Sequence, residues 1–80
     1  MSSRSDETAR ALDAFRTRLR AERNRRGWSI RDLAARAGAH YRTVAQLERG
    51  GASPTLDTAL RLAAALSVPL ESLLRSQESD

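Results

Sequence analysis

Apolar residues recur along the chain at helical spacing and predict helices joined by short connections. Leu12, Phe15 and Leu19 follow one another at i, i+3 and i+7, with charged residues on the other faces. They predict a long amphipathic first helix over residues 6–26, which ends at Gly27. Because no segment alternates usefully with period two, we expect an all-α protein.

The next two helices carry clear start and stop signals. Ser29 and Asp32 stand at capping-box spacing at the start of a short second helix. Gly38 follows this helix and can take the left-handed conformation of a sharp exit. A third helix is expected from about Tyr41. The core positions expected in these two helices are Ile30, Leu33, Ala34, Ala37, Val44 and Leu47.

Two further helices are expected in the last third of the chain. Gly50 and Gly51 end the third helix, and Thr55 is the expected N-cap of the fourth. Pro69 opens a fifth helix. The expected core face of the fourth helix is Leu56, Ala59, Leu60, Ala63 and Leu66, and the fifth carries Leu70, Leu73 and Leu74. Eighty residues suffice for one modest core, so we expect one domain over residues 9–75, a flexible N-terminus over 1–8 and a flexible tail over 76–80.

The distribution of charge favours a polyanionic partner. All 14 basic residues are arginine, and the net charge is +4. Residues 10–49 carry 11 arginines and 4 acidic residues, a net charge of +7, whereas residues 50–80 carry a net charge of −2. A basic half joined to a mildly acidic half is typical of a nucleic-acid footprint. The absence of cysteine, of a signal peptide and of a long apolar run indicates a cytoplasmic protein that contains no disulfides.

A family resemblance covers residues 19–74. The run GWSIRDLAARAGAHYRTVAQLERG, followed by SPTLDTALRLAAALSVPLESLL, resembles the Cro and phage-repressor type (XRE-like) helix-turn-helix family. The most specific pieces are Leu33-Ala34, Gly38, the run Leu47-Glu48-Arg49-Gly50, and Pro54. The resemblance implies a compact five-helix lambda-repressor-like domain with the helix-turn-helix at helices 2 and 3. It also implies a sequence-specific regulator of transcription, such as a repressor, that binds double-stranded DNA.

The same resemblance implies which residues contact DNA. The third helix, about residues 41–48, is expected to lie in the major groove, with Arg42 as the main base reader. The guanidinium fork of arginine matches guanine O6 and N7, and the amide of glutamine matches adenine N6 and N7. The expected base contacts are Tyr41, Arg42, Thr43 and Gln46. The expected phosphate contacts are Arg31, Arg49, Ser53 and His40, with Arg16 and Arg36 as weaker candidates.

Other positions match or depart from the family pattern. Arg23 and Glu48 match a semi-buried salt bridge that ties the first helix to the end of the third. Ile30 stands where the family usually has a phosphate-binding glutamine, so we expect that contact to be lost or to move to Arg31. His40 stands where serine or threonine is the usual cap, and histidine is a poorer cap; its protonated form can approach a phosphate.

Other functions were weighed against DNA binding. An enzyme is not favoured, because the single histidine has no thiol partner and the serines lie at caps or in tails. No spacing of potential ligands indicates a metal or cofactor. The alternative function is a protein-interaction module, such as an antitoxin-type partner that uses the same fold. Membrane binding is disfavoured because the apolar side chains of the first helix are needed for the core. We expect a homodimer on a near-palindromic site, with its interface either at Leu70, Leu73 and Leu74 or at Leu12 and Phe15.

Overall fold

The computed structural model describes residues 4–75, which form five helices and no strand. The helices are α1 (Arg4–Arg25), α2 (Ile30–Ala37), α3 (Tyr41–Arg49), α4 (Leu56–Leu66) and α5 (Leu70–Leu74). The predicted five-helix, all-α fold is therefore confirmed. Helix α1 begins two residues before the predicted start and includes residues 4–8 of the segment that was expected to be flexible. The predicted tail, residues 76–80, lies outside the described residues.

One apolar core joins the five helices. Helix α1 packs against α3 and α5, α2 packs against α3 and α4, and α4 packs against α5. Helix α3 is thus held between α1 and α2. The buried apolar residues are Ala14, Phe15, Leu19, Leu33, Ala34, Ala37, Val44, Leu47, Ala59, Leu62, Ala63, Leu66 and Leu73. All the expected core positions of α2 and α3 are in this set except Ile30, which is partly buried against it.

Helix α4 buries only part of the face expected: Ala59, Ala63 and Leu66 are buried as predicted. Leu56 is 68% exposed and Leu60 is 50% exposed, so the prediction that they face the core was wrong. Leu62, which the sequence analysis did not assign to the core, is fully buried together with Leu66. Leu62 lies four residues before Leu66, and the packing of α2 and α5 against α4 selects the face that these two leucines share. The exposed leucines remain as an apolar strip on the surface.

Two residues offered as surplus apolar surface belong to the core. Phe15 of α1 and Leu73 of α5 are each 1% exposed, so the expectation that they are available for a dimer interface was wrong. The long α1 packs directly against α5, which explains how both side chains become buried. Leu12 and Leu74 remain substantially exposed.

The capping box predicted for α2 is present. The backbone N–H of Asp32 donates to Ser29 Oγ at 3.0 Å, and the backbone N–H of Ser29 donates to Asp32 Oδ2 at 2.8 Å. The hydrogen bond from the Ser29 backbone is the main cause that lowers the pKa of Asp32 below its ordinary value. Because the folded pKa is lowered, this contribution to stability is present above the ordinary pKa and is lost as the pH falls through the lowered one.

Removing the Ser29 hydroxyl is expected to destabilise the fold modestly. In Ser29→Ala, one N–H in the first turn of α2 loses its partner, which costs about 1 kcal/mol of unfolding free energy. Urea-induced unfolding at neutral pH measures this loss. Ser5→Ala, an exposed serine in the first turn of α1, is the matched control and should leave stability nearly unchanged. Equal midpoints for the wild type and Ser29→Ala would contradict the capping role.

Candidate nucleic-acid interface

A glycine turn sets the crossing of α2 and α3. Gly38 has φ +68°, a left-handed conformation that costs a side-chain-bearing residue free energy, and its N–H donates to Ala35 O at 3.3 Å. From α4, the Arg61 side chain reaches across and donates to Gly38 O at 3.2 Å. Arg61 is itself held by Asp57 at 3.0 Å, one turn earlier on α4. The turn is therefore braced by a third helix.

His40 is the N-cap of α3. Its Nδ1 accepts a hydrogen bond from the backbone N–H of Arg42 at 3.2 Å, which is the role that a serine or threonine hydroxyl usually fills. An accepting Nδ1 carries no proton, so the neutral ring carries its proton on Nε2. The His40 ring also stacks on Tyr41, with ring centroids 5.4 Å apart. The cap is therefore present, and its weakness relative to serine or threonine stays a prediction.

Helix α3 has one buried face and one exposed face. Val44, Leu47 and Glu48 are buried against the rest of the domain. Arg42, Gln46 and Arg49 are exposed, and at 100° per residue they share the opposite face of the helix. Two other predicted base readers, Tyr41 and Thr43, are partly buried and flank this exposed face on opposite sides. The structure therefore brings arginine and glutamine donors together on a protruding surface.

The predicted salt bridge between Arg23 and Glu48 is present and nearly buried. Arg23 Nε donates to Glu48 Oε2 at 2.7 Å, and Arg23 Nη2 donates to Glu48 Oε1 at 2.8 Å. The side chains of Arg23 and Glu48 are only 13% and 4% exposed. Arg23 Nη1 also donates to Trp28 O at 2.8 Å, and its hydrogen bonds to Glu48 raise the pKa of Arg23. The pair thus joins α1, the loop before α2 and the end of α3.

One member of this network was not predicted from the sequence. Arg20 Nη2 donates to the backbone carbonyl of Glu48 at 3.0 Å, so a second arginine of α1 holds the last turn of α3. Arg20 lies three residues before Arg23 and therefore on the same side of α1. This three-residue spacing is the feature of the sequence from which the contact of Arg20 with α3 could have been predicted. A cation here also faces the negative end of the α3 dipole.

The predicted phosphate contacts lie near both ends of α3. At the first end, the Arg31 guanidinium from α2 lies over the Tyr41 ring, 3.9 Å from its centroid, beside His40. At the other end, Arg49 and Ser53 are both exposed. Ile30 is partly buried and packs against the core.

The two weaker candidates are engaged elsewhere. The Arg36 guanidinium lies over the Trp28 ring at 4.2 Å from the centroid, on the side of α2 away from Arg31. Arg16 pairs with Asp13 and packs closely on Gly50, where an added Cβ would lie 3.2 Å from Arg16 Cδ. Gly50 also has φ +82°, so both the backbone and the contact with Arg16 favour glycine there.

Residues 4–75 show neither a membrane-spanning helix nor a metal-binding cluster. None of the helices in residues 4–75 is long and apolar enough to cross a bilayer. The same part of the chain contains no group of three or more histidine, cysteine, aspartate or glutamate side chains arranged to hold a metal ion.

Two short helices that cross through a glycine turn, with the exposed face of the second helix directed to solvent, define a helix-turn-helix protein. The family model described as helix-turn-helix matches residues 19–73, and the chain belongs to this family.

Two relatives extend this assignment. The chain is 35% identical over 63 residues to the HTH-type transcriptional regulator SutR of Escherichia coli (strain K12). The match covers 79% of this chain, which spans only about a third (35%) of that relative's length. The fold is similar to the crystal structure of the restriction-modification controller protein C.AhdI from Aeromonas hydrophila, with a TM-score of 0.73 and 35% identity, over 78% of this chain and 94% of that one.

Proposed function

We propose that this protein is a sequence-specific, double-stranded-DNA-binding regulator of transcription that inserts α3 into the major groove. The observation that carries the proposal is the exposed face of α3, where Arg42, Gln46 and Arg49 stand opposite a fully packed core face. An α-helix of this kind fits the width of the B-DNA major groove. The names of the two relatives, a transcriptional regulator and a controller protein, support the same function. We propose that the protein acts in the cytoplasm by binding and not by catalysis.

Base reading is assigned to four residues of α3. Arg42 donates to guanine O6 and N7, and Gln46 pairs with adenine N6 and N7. Tyr41 contacts a thymine methyl group or a phosphate, and Thr43 lies near the same base edges. Of these residues, Arg42 is the main reader because it is exposed and its backbone is fixed by the His40 cap.

Phosphate contacts are assigned to residues at both ends of α3. Arg31 and His40 approach the backbone near the first turn, and Arg49 and Ser53 approach it beyond the last turn. Each cation that neutralises a phosphate releases bound counterions, so affinity falls with salt. Replacing a phosphate-binding arginine should therefore weaken the salt dependence of DNA binding, whereas replacing another exposed arginine should not.

Replacing Arg49 is expected to reduce the salt dependence of DNA binding. In Arg49→Ala, the slope of log K against log salt should fall in magnitude by about one, with similar losses on all duplexes. Fluorescence anisotropy at four salt concentrations measures the slope. Arg75→Ala, an exposed arginine just after α5, is the control and should leave the slope unchanged. An unchanged slope in Arg49→Ala would remove this residue from the phosphate contacts.

A homodimer on a near-palindromic site is the second part of the proposal. Two copies of α3 must lie about 34 Å apart to enter successive major-groove faces. Exposed apolar surface for this contact is carried by Leu56 and Leu60, four residues apart on α4, by Leu74 on α5 and by Leu12 on α1. In a monomer these leucines leave apolar surface in contact with water, and a second copy of the chain would cover it.

Light scattering tests the dimer. We expect twice the chain mass at high protein concentration, and the mass of two chains plus one duplex on DNA. Leu60→Asp and Leu74→Asp compare the α4 surface with the α5 surface, and the variant at the true interface should give a monomer. A monomer for the wild type at every concentration, with and without DNA, would reject the dimer.

The alternative function is an interaction module that binds another protein, as an antitoxin-type partner does. The exposed leucines favour it, since a different protein can cover the same surface. An interaction module would show salt-dependent binding to DNA at most, with no preference for one duplex over a scrambled competitor.

A further inference from the structure

Three stacked side chains stand at the start of α3. The Arg31 guanidinium, from α2, lies 3.9 Å from the centroid of the Tyr41 ring. The Tyr41 ring in turn stacks on His40, with an angle of 20° between the ring planes. We call these three residues the Arg31–Tyr41–His40 stack. It joins α2, the turn and α3 through side chains alone.

The charge of Arg31 has no counterion in the described part of the chain. Within residues 4–75, no carboxylate forms an ion pair with Arg31, in contrast to the paired arginines of α1 and α4. The Arg31 guanidinium instead contacts the face of the Tyr41 ring. A guanidinium over a tyrosine ring is attracted to the negative face of the π system. This attraction restricts the rotamers that the Arg31 and Tyr41 side chains can adopt.

Tyr41 is one of the four proposed base contacts, so its orientation bears on DNA binding. It is partly buried and lies at the edge of the exposed face that carries Arg42 and Gln46. A ring held on one face by Arg31 loses fewer rotamers when it meets a base, because it is already ordered before binding. The position of the phenol then depends on a residue of a different helix.

We propose that Arg31 is a positioning residue for Tyr41, so that it contributes to the choice of DNA sequence as well as to phosphate binding. The inference rests on the proposed function for its DNA consequence, whereas the coupling of the two side chains exists in the free protein. Its two consequences are tested separately.

The first test uses NMR of the free protein. Protons beside an aromatic ring face shift upfield, so the Arg31 side-chain signals should move downfield in Tyr41→Ala and remain nearly in place in Tyr41→Phe. Tyr41 is the sole tyrosine of the chain, which makes its ring signals unambiguous. Arg36, which lies over Trp28, is the internal control, and its signals should not respond. Arg31 signals that stay unchanged in Tyr41→Ala would overturn the positioning role, whatever the DNA result.

The second test is a double-mutant cycle on DNA selectivity. The readout is the ratio of affinities for the preferred duplex and for a scrambled duplex. Arg31→Ala should lower this ratio about two- to fivefold in the wild-type background, which is the effect of an exposed cation–π contact, and hardly at all in the Tyr41→Ala background. Arg31→Lys keeps the charge with a weaker fit to the ring, so it should restore affinity more than selectivity. Arg36→Ala should leave the ratio unchanged.

Two outcomes of the cycle would overturn the selectivity role. In one, Arg31→Ala weakens both duplexes equally, which makes Arg31 a phosphate contact alone. In the other, Arg31→Ala lowers the ratio equally in both backgrounds, which makes Arg31 independent of Tyr41. A wild type without any preferred duplex would instead reject the proposed function and, with it, the selectivity role, while the NMR result still decides the coupling.

Discussion

Replacing Glu48 by alanine is expected to lower the free energy of unfolding by about 3 to 5 kcal/mol, the largest loss for a single change outside the apolar core. Arg23 is held by both carboxylate oxygens of Glu48 in a nearly buried setting. Removal of the carboxylate leaves the Arg23 guanidinium without its counterion, while the hydrogen bond from Arg20 to the backbone carbonyl of Glu48 is retained. Thermal and urea unfolding of the variant measure the loss.

A control variant and a rescue variant test whether the loss in Glu48→Ala comes from the buried charge of Arg23. Asp57→Ala removes an exposed carboxylate that pairs with Arg61 at 3.0 Å, and it should cost less than about 1 kcal/mol because water screens that pair. In the double variant Arg23→Met with Glu48→Leu, no unpaired charge remains, so much of the lost stability should return. A midpoint for Glu48→Ala that matches that of Asp57→Ala would contradict the buried role of the pair.

Arg42→Ala is expected to cost about 1 to 3 kcal/mol of binding free energy on the preferred duplex and very little on random DNA. The physical reason is that a bidentate contact to guanine is lost, while phosphate contacts by Arg31 and Arg49 are retained. The backbone N–H of Arg42 still donates to His40, so the helix start is kept in the variant. Competition binding against preferred and random duplexes measures both losses.

The control for Arg42 is Arg75→Ala, which removes the same charge from the surface after α5. It should leave binding to both duplexes nearly unchanged. Circular dichroism of each variant checks that the helices are retained. Equal losses on preferred and random DNA for Arg42→Ala would remove its base-reading role and leave it a general electrostatic contact.

Local signals were reliable where a few neighbouring residues determine the structure. The capping box of Ser29 and Asp32 and the left-handed Gly38 were predicted correctly because the hydrogen bonds close within one turn. The side chain of Thr55 likewise caps α4, accepting a hydrogen bond from the backbone N–H of Thr58. The bridge between Arg23 and Glu48 came from family resemblance, since 25 residues separate its partners.

The errors arose where packing between distant helices decides the outcome. Helix α4 carries leucines around much of its surface, and its own sequence does not decide whether Leu62 or the pair Leu56 and Leu60 is buried beside Leu66. The contacts with α2 and α5 make that choice. Phe15 and Leu73 were offered for a dimer because the pairing of α1 with α5 is not encoded in either segment alone.

In the candidate site, too, local features were predictable from the sequence and features that depend on helix packing were not. The exposed positions of Arg42 and Gln46 follow from helical periodicity, once Val44 and Leu47 are known to be buried. The Arg31–Tyr41–His40 stack depends on how α2 crosses α3, and the sequence contains no local signal for it. Recognition of a base depends in addition on the docking angle and on the deformability of the DNA.

Selection from a random pool of duplexes, followed by sequencing of the bound fraction, tests the central claim most directly. The wild type should enrich one short motif, arranged as two near-palindromic half-sites about one helical turn apart. Arg42→Ala should lose the preference at one position of each half-site and keep the spacing. A bound fraction without any enriched motif, with the protein folded and in excess, would contradict the account of α3 as a sequence-reading helix.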